Sequence, residues 1–84
     1  MTIEENWAMP TARIAEYLRG LDGARQIAEA RYEIGGCEIA LRPLEESKVG
    51  SYSFPRTLVI FTGNEDAVSQ FRRQFTLHFL TLGG

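Results

Sequence analysis

The chain has 84 residues, of which 44% are hydrophobic and 11% aromatic, and this composition excludes a disordered protein. Its net charge of −2 provides no overall attraction to nucleic acids or anionic membranes. We therefore predict a single small α+β domain over residues 1–84. No apolar run approaches the ~20 residues that a membrane-spanning helix needs, and a single cysteine is typical of a reducing compartment, so we expect a cytoplasmic protein.

The first helix is predicted near residues 10–20. Thr2 and Glu5 have the spacing of a capping box, which favours a short helical turn before it. Pro10 suits the first position of a new helix, and Gly20 supplies a stop signal. The apolar residues between them recur at helical spacing as one stripe, formed by Ile14, Tyr17, Leu18 and Leu21.

The clearest element is a β-hairpin over residues 24–44 with Gly35-Gly36 as its turn. Two consecutive glycines permit the positive φ angles that a type I′ turn requires. The turn fixes a register that pairs Ile34 with Cys37, Glu33 with Glu38, Tyr32 with Ile39, Arg31 with Ala40, Ala30 with Leu41 and Glu29 with Arg42. In this register the apolar side chains of both strands share one face, because side chains alternate with period two.

Glu33 and Glu38 face each other in the predicted register, and like charges in that position are destabilising. They form either an acid/base or cation-binding pair or a solvated patch that Arg31 neutralises, and we favour the second interpretation. Cys37 lies on the apolar face, where we expect a buried and unreactive thiol. A nucleophilic pair of Cys37 with His78, the only histidine, is the weaker alternative.

Residues 45–53 are predicted to form a polar connecting loop, since they contain a glycine and show no periodicity. The loop includes Lys48 and Tyr52, and Arg56 follows it. Loops of this kind often carry binding residues. The interpretation that we favour is nevertheless a simple connector.

Residues 54–62 are predicted to form a third strand. Its centre, Leu58-Val59-Ile60-Phe61, is apolar on both faces, unlike the two hairpin strands. Such a run indicates that both faces of the strand are covered. The helices of the domain can cover one face, so Leu58 and Ile60 are candidates for contact with the N-terminal segment or with another subunit.

The second helix is predicted to begin after Asn64, with Glu65 and Asp66 in the first turn, where the helix dipole favours anions. Its apolar stripe consists of Val68, Phe71, Phe75, Phe79 and Leu82. Leu77 and Leu80 fall outside this stripe. Residues 75–82 are therefore either a helix that is apolar on two sides or a fourth strand, and we predict the helix.

The predicted fold is α+β, with a three-stranded antiparallel sheet (the hairpin plus the third strand), two helices and the element order αβββα. This order resembles that of double-stranded RNA-binding domains, which place a lysine-rich cluster at the start of the second helix. The corresponding residues here are Asn64-Glu65-Asp66, which would repel phosphate. The resemblance is limited to the order of elements.

The sequence ends with Leu82-Gly83-Gly84, and a terminal Gly-Gly is similar to the activated tail of ubiquitin-like and sulfur-carrier proteins. This resemblance implies a carrier whose two slim residues enter an activating enzyme. Those folds run strand–strand–helix–strand, whereas the predicted strands here all precede the second helix, and helix termination also explains the glycines. The carrier is therefore less favoured than an interaction protein or a nucleic-acid-binding module, and an enzyme that uses Glu33/Glu38 or Cys37/His78 is the weakest hypothesis.

The leading hypothesis is a small non-enzymatic interaction or adaptor protein that forms a homodimer, with no catalytic residue, cofactor or metal. Its candidate interaction residues are Leu58, Ile60, Leu77, Leu80, Tyr52, Arg56, Arg72 and Arg73. The surplus apolar surface at the third strand and the second helix is the reason for this choice. The alternative is a nucleic-acid-binding module that uses the same arginines with Lys48.

Overall fold

A five-stranded antiparallel sheet forms the frame of the protein, and two helices pack on one of its faces. The computed structural model describes the backbone of residues 1–83 and the side chains of residues 1–80. The elements in chain order are β1 (Thr2–Trp7), α1 (Thr11–Arg19), β2 (Arg25–Ala28), β3 (Arg31–Ile34), β4 (Cys37–Val49), β5 (Tyr52–Gly63) and α2 (Glu65–Gly83). The strand order in the sheet is β1-β5-β4-β3-β2.

The predicted fold of three strands in the order αβββα is wrong, although the α+β character is confirmed. One additional strand is β1, where capping-box spacing had favoured a helical turn. Residues 2–7 pair with β5 in the register Thr2↔Thr62 to Trp7↔Thr57. Ile3, Glu5 and Trp7 point to the helix side, so tertiary packing against α2 outweighs the local helical signal.

The second additional strand results from a turn within the predicted hairpin. Ala30 has a φ of 59°, and the chain reverses there, so residues 24–34 form the two strands β2 and β3 instead of one. The register set by Gly35-Gly36 is confirmed for four pairs, from Ile34↔Cys37 to Arg31↔Ala40. Beyond them the Leu41 N–H donates to the Ala30 carbonyl at 2.9 Å, but the predicted pairing of Glu29 with Arg42 is lost.

The predicted loop over residues 45–53 is also wrong, because β4 and β5 continue through it to the pair Val49↔Tyr52. We call residues 45–54 the hairpin arm. Gly50 and Ser51 form its tip, and Gly50 has a φ of 62°. The ladder is irregular between Leu44 and Ser47. A two-stranded ribbon in solvent buries neither face, so its sequence shows no apolar alternation and resembles a loop.

Both predicted helices are confirmed. α1 begins after Pro10, and α2 begins after Asn64, whose Oδ1 accepts a hydrogen bond from the Ala67 N–H at 2.9 Å. α2 includes residues 75–82, as predicted. The predicted role of the Leu82 side chain lies outside the described side chains. Neither helix is long and apolar enough to cross a membrane, as far as the described residues show.

The core lies between the helices and the sheet. Its buried apolar residues are Met9, Ile14, Leu18, Tyr32, Cys37, Ile39, Leu41, Val59, Phe61, Val68, Phe71, Phe75 and Phe79. The Phe75 ring lies at its centre, with ring centroids 5.2 Å from Trp7, 6.0 Å from Tyr17 and 5.5 Å from Phe61. The ring of Phe79 is 4.8 Å away. Phe75 therefore joins β1, α1, β5 and its own helix.

The buried hydroxyl of Thr57 fixes the segment between β1 and α1. It donates a hydrogen bond to the Met9 carbonyl at 2.7 Å, and the Thr11 hydroxyl lies 2.8 Å from it. Because Thr57 gives its proton to Met9, it accepts the proton of Thr11. This chain of hydrogen bonds holds the start of α1 against β5.

Replacing Phe75 by alanine should lower the free energy of unfolding by about 3–5 kcal/mol, because a fully buried ring is lost and leaves a cavity. Leu80→Ala is the matched control, since Leu80 lies on the same helix but is 65% exposed, and it should change stability by less than about 0.5 kcal/mol. Urea unfolding followed by circular dichroism measures both. Equal effects of the two substitutions would contradict the central position of Phe75.

Candidate functional site

The eight predicted interaction residues fall into three places and do not form one site. Tyr52 lies in the hairpin arm. Arg56, Leu58 and Ile60 lie on the face of β5 that points away from the helices. The remaining four, Arg72, Arg73, Leu77 and Leu80, lie on the outward face of α2.

The sheet face opposite the helices has an apolar centre. Thr57, Val59 and Phe61 point to the helices and are fully buried, so Leu58 and Ile60 point to the other side, where both are half-buried. Their neighbours across the sheet are Asn6 and Arg42 for Leu58, and Glu4 and Ala40 for Ile60. The described helices leave this face uncovered, and we call it the open sheet face.

The hairpin arm exposes three large apolar side chains. Val49 is 64% exposed, Tyr52 70% and Phe54 43%. The rings of Tyr52 and Phe54 are stacked with centroids 6.4 Å apart, which places them on the same side of β5. Val49 pairs directly with Tyr52. Only Tyr52 was predicted from the sequence. The two-residue tip Gly50-Ser51 between these residues is the signal that would have revealed the hairpin.

A groove of about 290 Å³ separates β1 from the outward face of α2 and is lined by Ile3, Ser69, Arg72, Arg73, Thr76 and Leu77. It brings together three of the predicted residues. Arg72 already has a structural partner, since its guanidinium lies 2.6 Å from Oε2 of Glu5. The other carboxylate oxygen of Glu5 accepts a hydrogen bond from Trp7 Nε1 at 3.2 Å. Glu5 therefore joins the edge strand to α2.

A second groove, of about 380 Å³, lies between α1 and the C-terminal half of α2. Its centre is a stack of Tyr17 on His78, with ring centroids 4.1 Å apart. Burial raises the pKa of the Tyr17 hydroxyl, and a hydrogen bond with the Gln74 side chain opposes this shift. His78 is packed against the rings of Tyr17 and Phe79.

Cys37 and His78 do not form a nucleophilic pair. Cys37 pairs with Gly63, just before the start of α2, whereas His78 lies 13 residues into that helix, roughly 20 Å away along its axis. The Cys37 thiol is buried, and this burial is the main cause of its raised pKa. A buried, protonated thiol is a poor nucleophile.

The interpretation of Glu33 and Glu38 as a neutralised pair is confirmed. The two residues face each other across β3 and β4, and each has its own arginine. Arg31 forms an ion pair with Glu38, and Arg25 lies 3.5 Å from Glu33. Within the described residues, no three histidine, cysteine or acidic side chains are grouped so that they could hold a metal ion.

The basic residues of the nucleic-acid alternative are dispersed. Lys48 lies in the hairpin arm, and Arg56 donates from Nε to Asn6 Oδ1 at 2.7 Å. Arg72 is paired with Glu5 on the other side of the sheet. The three side chains therefore do not line one surface that could follow a phosphate backbone.

Comparison with known proteins identifies the family. A protein-family model described as "Archaeal MoaD-like protein" matches residues 4–84, nearly the whole chain. The chain belongs to this family. No curated protein matches it. The match to the MoaD-like family includes Gly83-Gly84. Gly83 is the last residue of α2, and Gly84 lies outside the described residues.

The fold of this MoaD-like chain differs from the strand–strand–helix–strand order named above for ubiquitin-like carriers. Its order is β-α-β-β-β-β-α, and every paired neighbour in the described sheet is antiparallel. The family match agrees better with the carrier hypothesis than with the nucleic-acid alternative.

The Cys37 thiol should react with a disulfide reagent more than about a hundredfold more slowly in the folded protein than in urea, because labelling requires opening of the core. Its raised pKa also keeps the thiolate fraction low, so the folded-state rate should still increase with pH above the range of an ordinary thiol. Absorbance of the released reagent measures both rates. Rapid labelling of the folded protein would contradict the buried position.

Proposed function

We propose that this protein is a non-enzymatic sulfur carrier of the MoaD-like family, which holds its cargo at the Gly83-Gly84 pair and acts by binding partner proteins. The observation that supports this proposal most is the family match, which extends to residue 84 and therefore includes both glycines. Proteins of this type carry sulfur and interact with partner proteins. The proposal gives the two glycines a chemical role that helix termination alone does not.

The chemistry of such a carrier explains the type of residue at its end. A carboxylate is a poor electrophile, so a partner enzyme must first convert one of its oxygens into a leaving group, such as a mixed anhydride with a phosphate. Sulfide-level sulfur then forms the C–S bond as the C–O bond breaks, and the oxygen leaves with the phosphate. Two residues without side chains can pass through a narrow cleft to reach that enzyme's reactive centre. In this proposal Gly84 provides the carboxylate, and Gly83 has no side chain that would obstruct its entry into the cleft.

The rest of the protein then serves to present this pair. The outward face of α2 leads directly to it, and Leu77 and Leu80 are 56% and 65% exposed on the last turns that the structure describes. Arg73 lies one to two turns earlier on the same face. A partner that binds this face would contact a helix that Phe75 and Phe79 anchor to the core.

The carrier role can be tested by intact mass spectrometry of the chain isolated from its native host. We expect a fraction whose mass corresponds to one oxygen replaced by sulfur, located in the peptide that contains Gly84. Gly83→Val/Gly84→Val should abolish this fraction, because branched side chains block entry to the activating enzyme. Gly20→Ala is the matched control, since its added Cβ would meet no atom closer than 3.6 Å.

If the mass of the chain is unmodified whatever sulfur source the host is grown on, the carrier role is refuted. Leu80→Asp provides a separate test of the presenting face. It should reduce the sulfur-bearing fraction while circular dichroism stays unchanged, because Leu80 is exposed. Full loading of Leu80→Asp would show that partners bind elsewhere.

Self-association through β5 is a second proposal, and one specific observation favours it. Leu58 and Ile60 form the apolar centre of the open sheet face, which the described helices leave uncovered. Surfaces of this kind are typical of contacts between proteins.

A further inference from the structure

We infer that the open sheet face binds a second copy of this chain across a two-fold axis, with Glu4 of each copy facing Arg42 of the other. This inference rests on the proposed self-association and is independent of the carrier role. The sheet provides two adjacent rows at its centre: Glu4, Ile60 and Ala40 in one, and Asn6, Leu58 and Arg42 in the next.

Further apolar side chains of β5 lie in the hairpin arm. Side chains alternate with period two, so Phe54 and Tyr52 continue on the same side as Ile60 and Leu58, and their stacked rings agree with this assignment. Val49 lies opposite Tyr52 on β4. Arg56 lies between Phe54 and Leu58 on this side, so the apolar surface has two parts, one at the centre of the face and one in the arm.

The face is large enough for a stable dimer. Strands ~4.8 Å apart with ~3.3 Å per residue give roughly 600 Å² for the five-stranded part and the arm together. A standard interface buries about 800 Å² of accessible surface on each partner. That area is measured over the uneven surface of the side chains, which exceeds the flat projection of the same sheet. The open sheet face is therefore of the size that a specific dimer needs.

Two charges on this face remain available for a partner. Glu4 and Arg42 are both exposed, and neither forms an ion pair with another described residue. The other charged groups on the face have side-chain partners: Arg31 with Glu38, Arg25 with Glu33, and Arg56 with the uncharged Asn6. Glu4 and Arg42 have opposite signs and lie on opposite sides of the apolar centre.

The positions of these two charges are related by a symmetry that a second copy can use. They lie two strands and one row apart, roughly 12 Å, with their midpoint between Leu58 and Ile60. Consider two facing sheets with a two-fold axis in the plane between them. An axis that passes this midpoint, perpendicular to the line from Glu4 to Arg42, exchanges the two positions. Each Glu4 then meets an Arg42, and the apolar centre of one copy lies on that of the other.

The balance of charges on the face favours a second copy over two other occupants. Glu4, Glu33 and Glu38 point to this side together with four arginines, of which two are already paired with Glu33 and Glu38, so the face lacks the strongly basic surface that a nucleic acid or an anionic membrane requires. A second copy brings both signs and satisfies them. The mixture of an apolar centre with unpaired charges of both signs is therefore self-complementary.

Sedimentation velocity of the full chain tests this inference with charge reversal. Glu4→Arg and Arg42→Glu should each weaken dimerisation by at least about tenfold, because each places two pairs of like charges in the interface. The combined Glu4→Arg/Arg42→Glu variant restores opposite charges and should bring the dissociation constant back to within about threefold of the original. Arg13→Glu, at an exposed position of α1 on the other side of the sheet, is the matched control and should have no effect.

Each outcome separates the possibilities. A wild-type chain that stays monomeric up to about 1 mM refutes the dimer and the self-association with it. A dimer that resists both single reversals, or that the double variant does not restore, refutes the two-fold arrangement but leaves self-association in place. Circular dichroism confirms that the variants are folded. The sulfur-bearing fraction of the monomeric variants, measured by mass, tests the carrier role separately.

Discussion

The packing of aromatic rings around Phe75 is the interaction on which the rest of the structure depends. Through Phe61 it fixes α2 on β5, through Tyr17 it fixes α1 on α2, and through Trp7 it holds β1 under the same helix. Edge-to-face ring pairs of this kind add about 0.5–1.5 kcal/mol each to the burial of their area. The ion pair of Arg72 with Glu5 adds a second contact to the same junction of β1 and α2, so the edge strand is held both by rings and by charge.

Elements whose signal lies in neighbouring residues could be predicted from the sequence. The Gly35-Gly36 turn determines its register locally, and the apolar stripes determine the two helices. β1 could not be predicted, because its partner residues 57–62 are 50 to 60 positions away and its own residues are mostly polar. Thr2 and Glu5 have the spacing of a helix cap, yet the sheet uses Glu5 as the acceptor for Trp7 and Arg72.

The candidate surfaces likewise contain features that the local sequence predicts and features that it does not. The outward orientation of Leu58 and Ile60 follows from strand alternation alone, and their contact with another subunit stays a prediction. The pairing of Arg72 with Glu5, 67 residues apart, and of Arg56 with Asn6, 50 residues apart, has no local signal. The Gly83-Gly84 pair is visible in the sequence, but the predicted order of elements argues against a carrier. The family match is the observation that favours one.

The position of β1 also determines the order in which the chain can assemble. β2 to β5 follow one another as hairpins, so their contacts close short loops, whereas β1 pairs only with β5. During synthesis β1 precedes β5, its paired strand, by about 50 residues and has no strand to pair with until these have followed. Closing so long a loop costs more chain entropy than closing a hairpin, and contacts of this kind form slowly. We therefore expect β1 to pair with β5 after the other strands have formed the sheet.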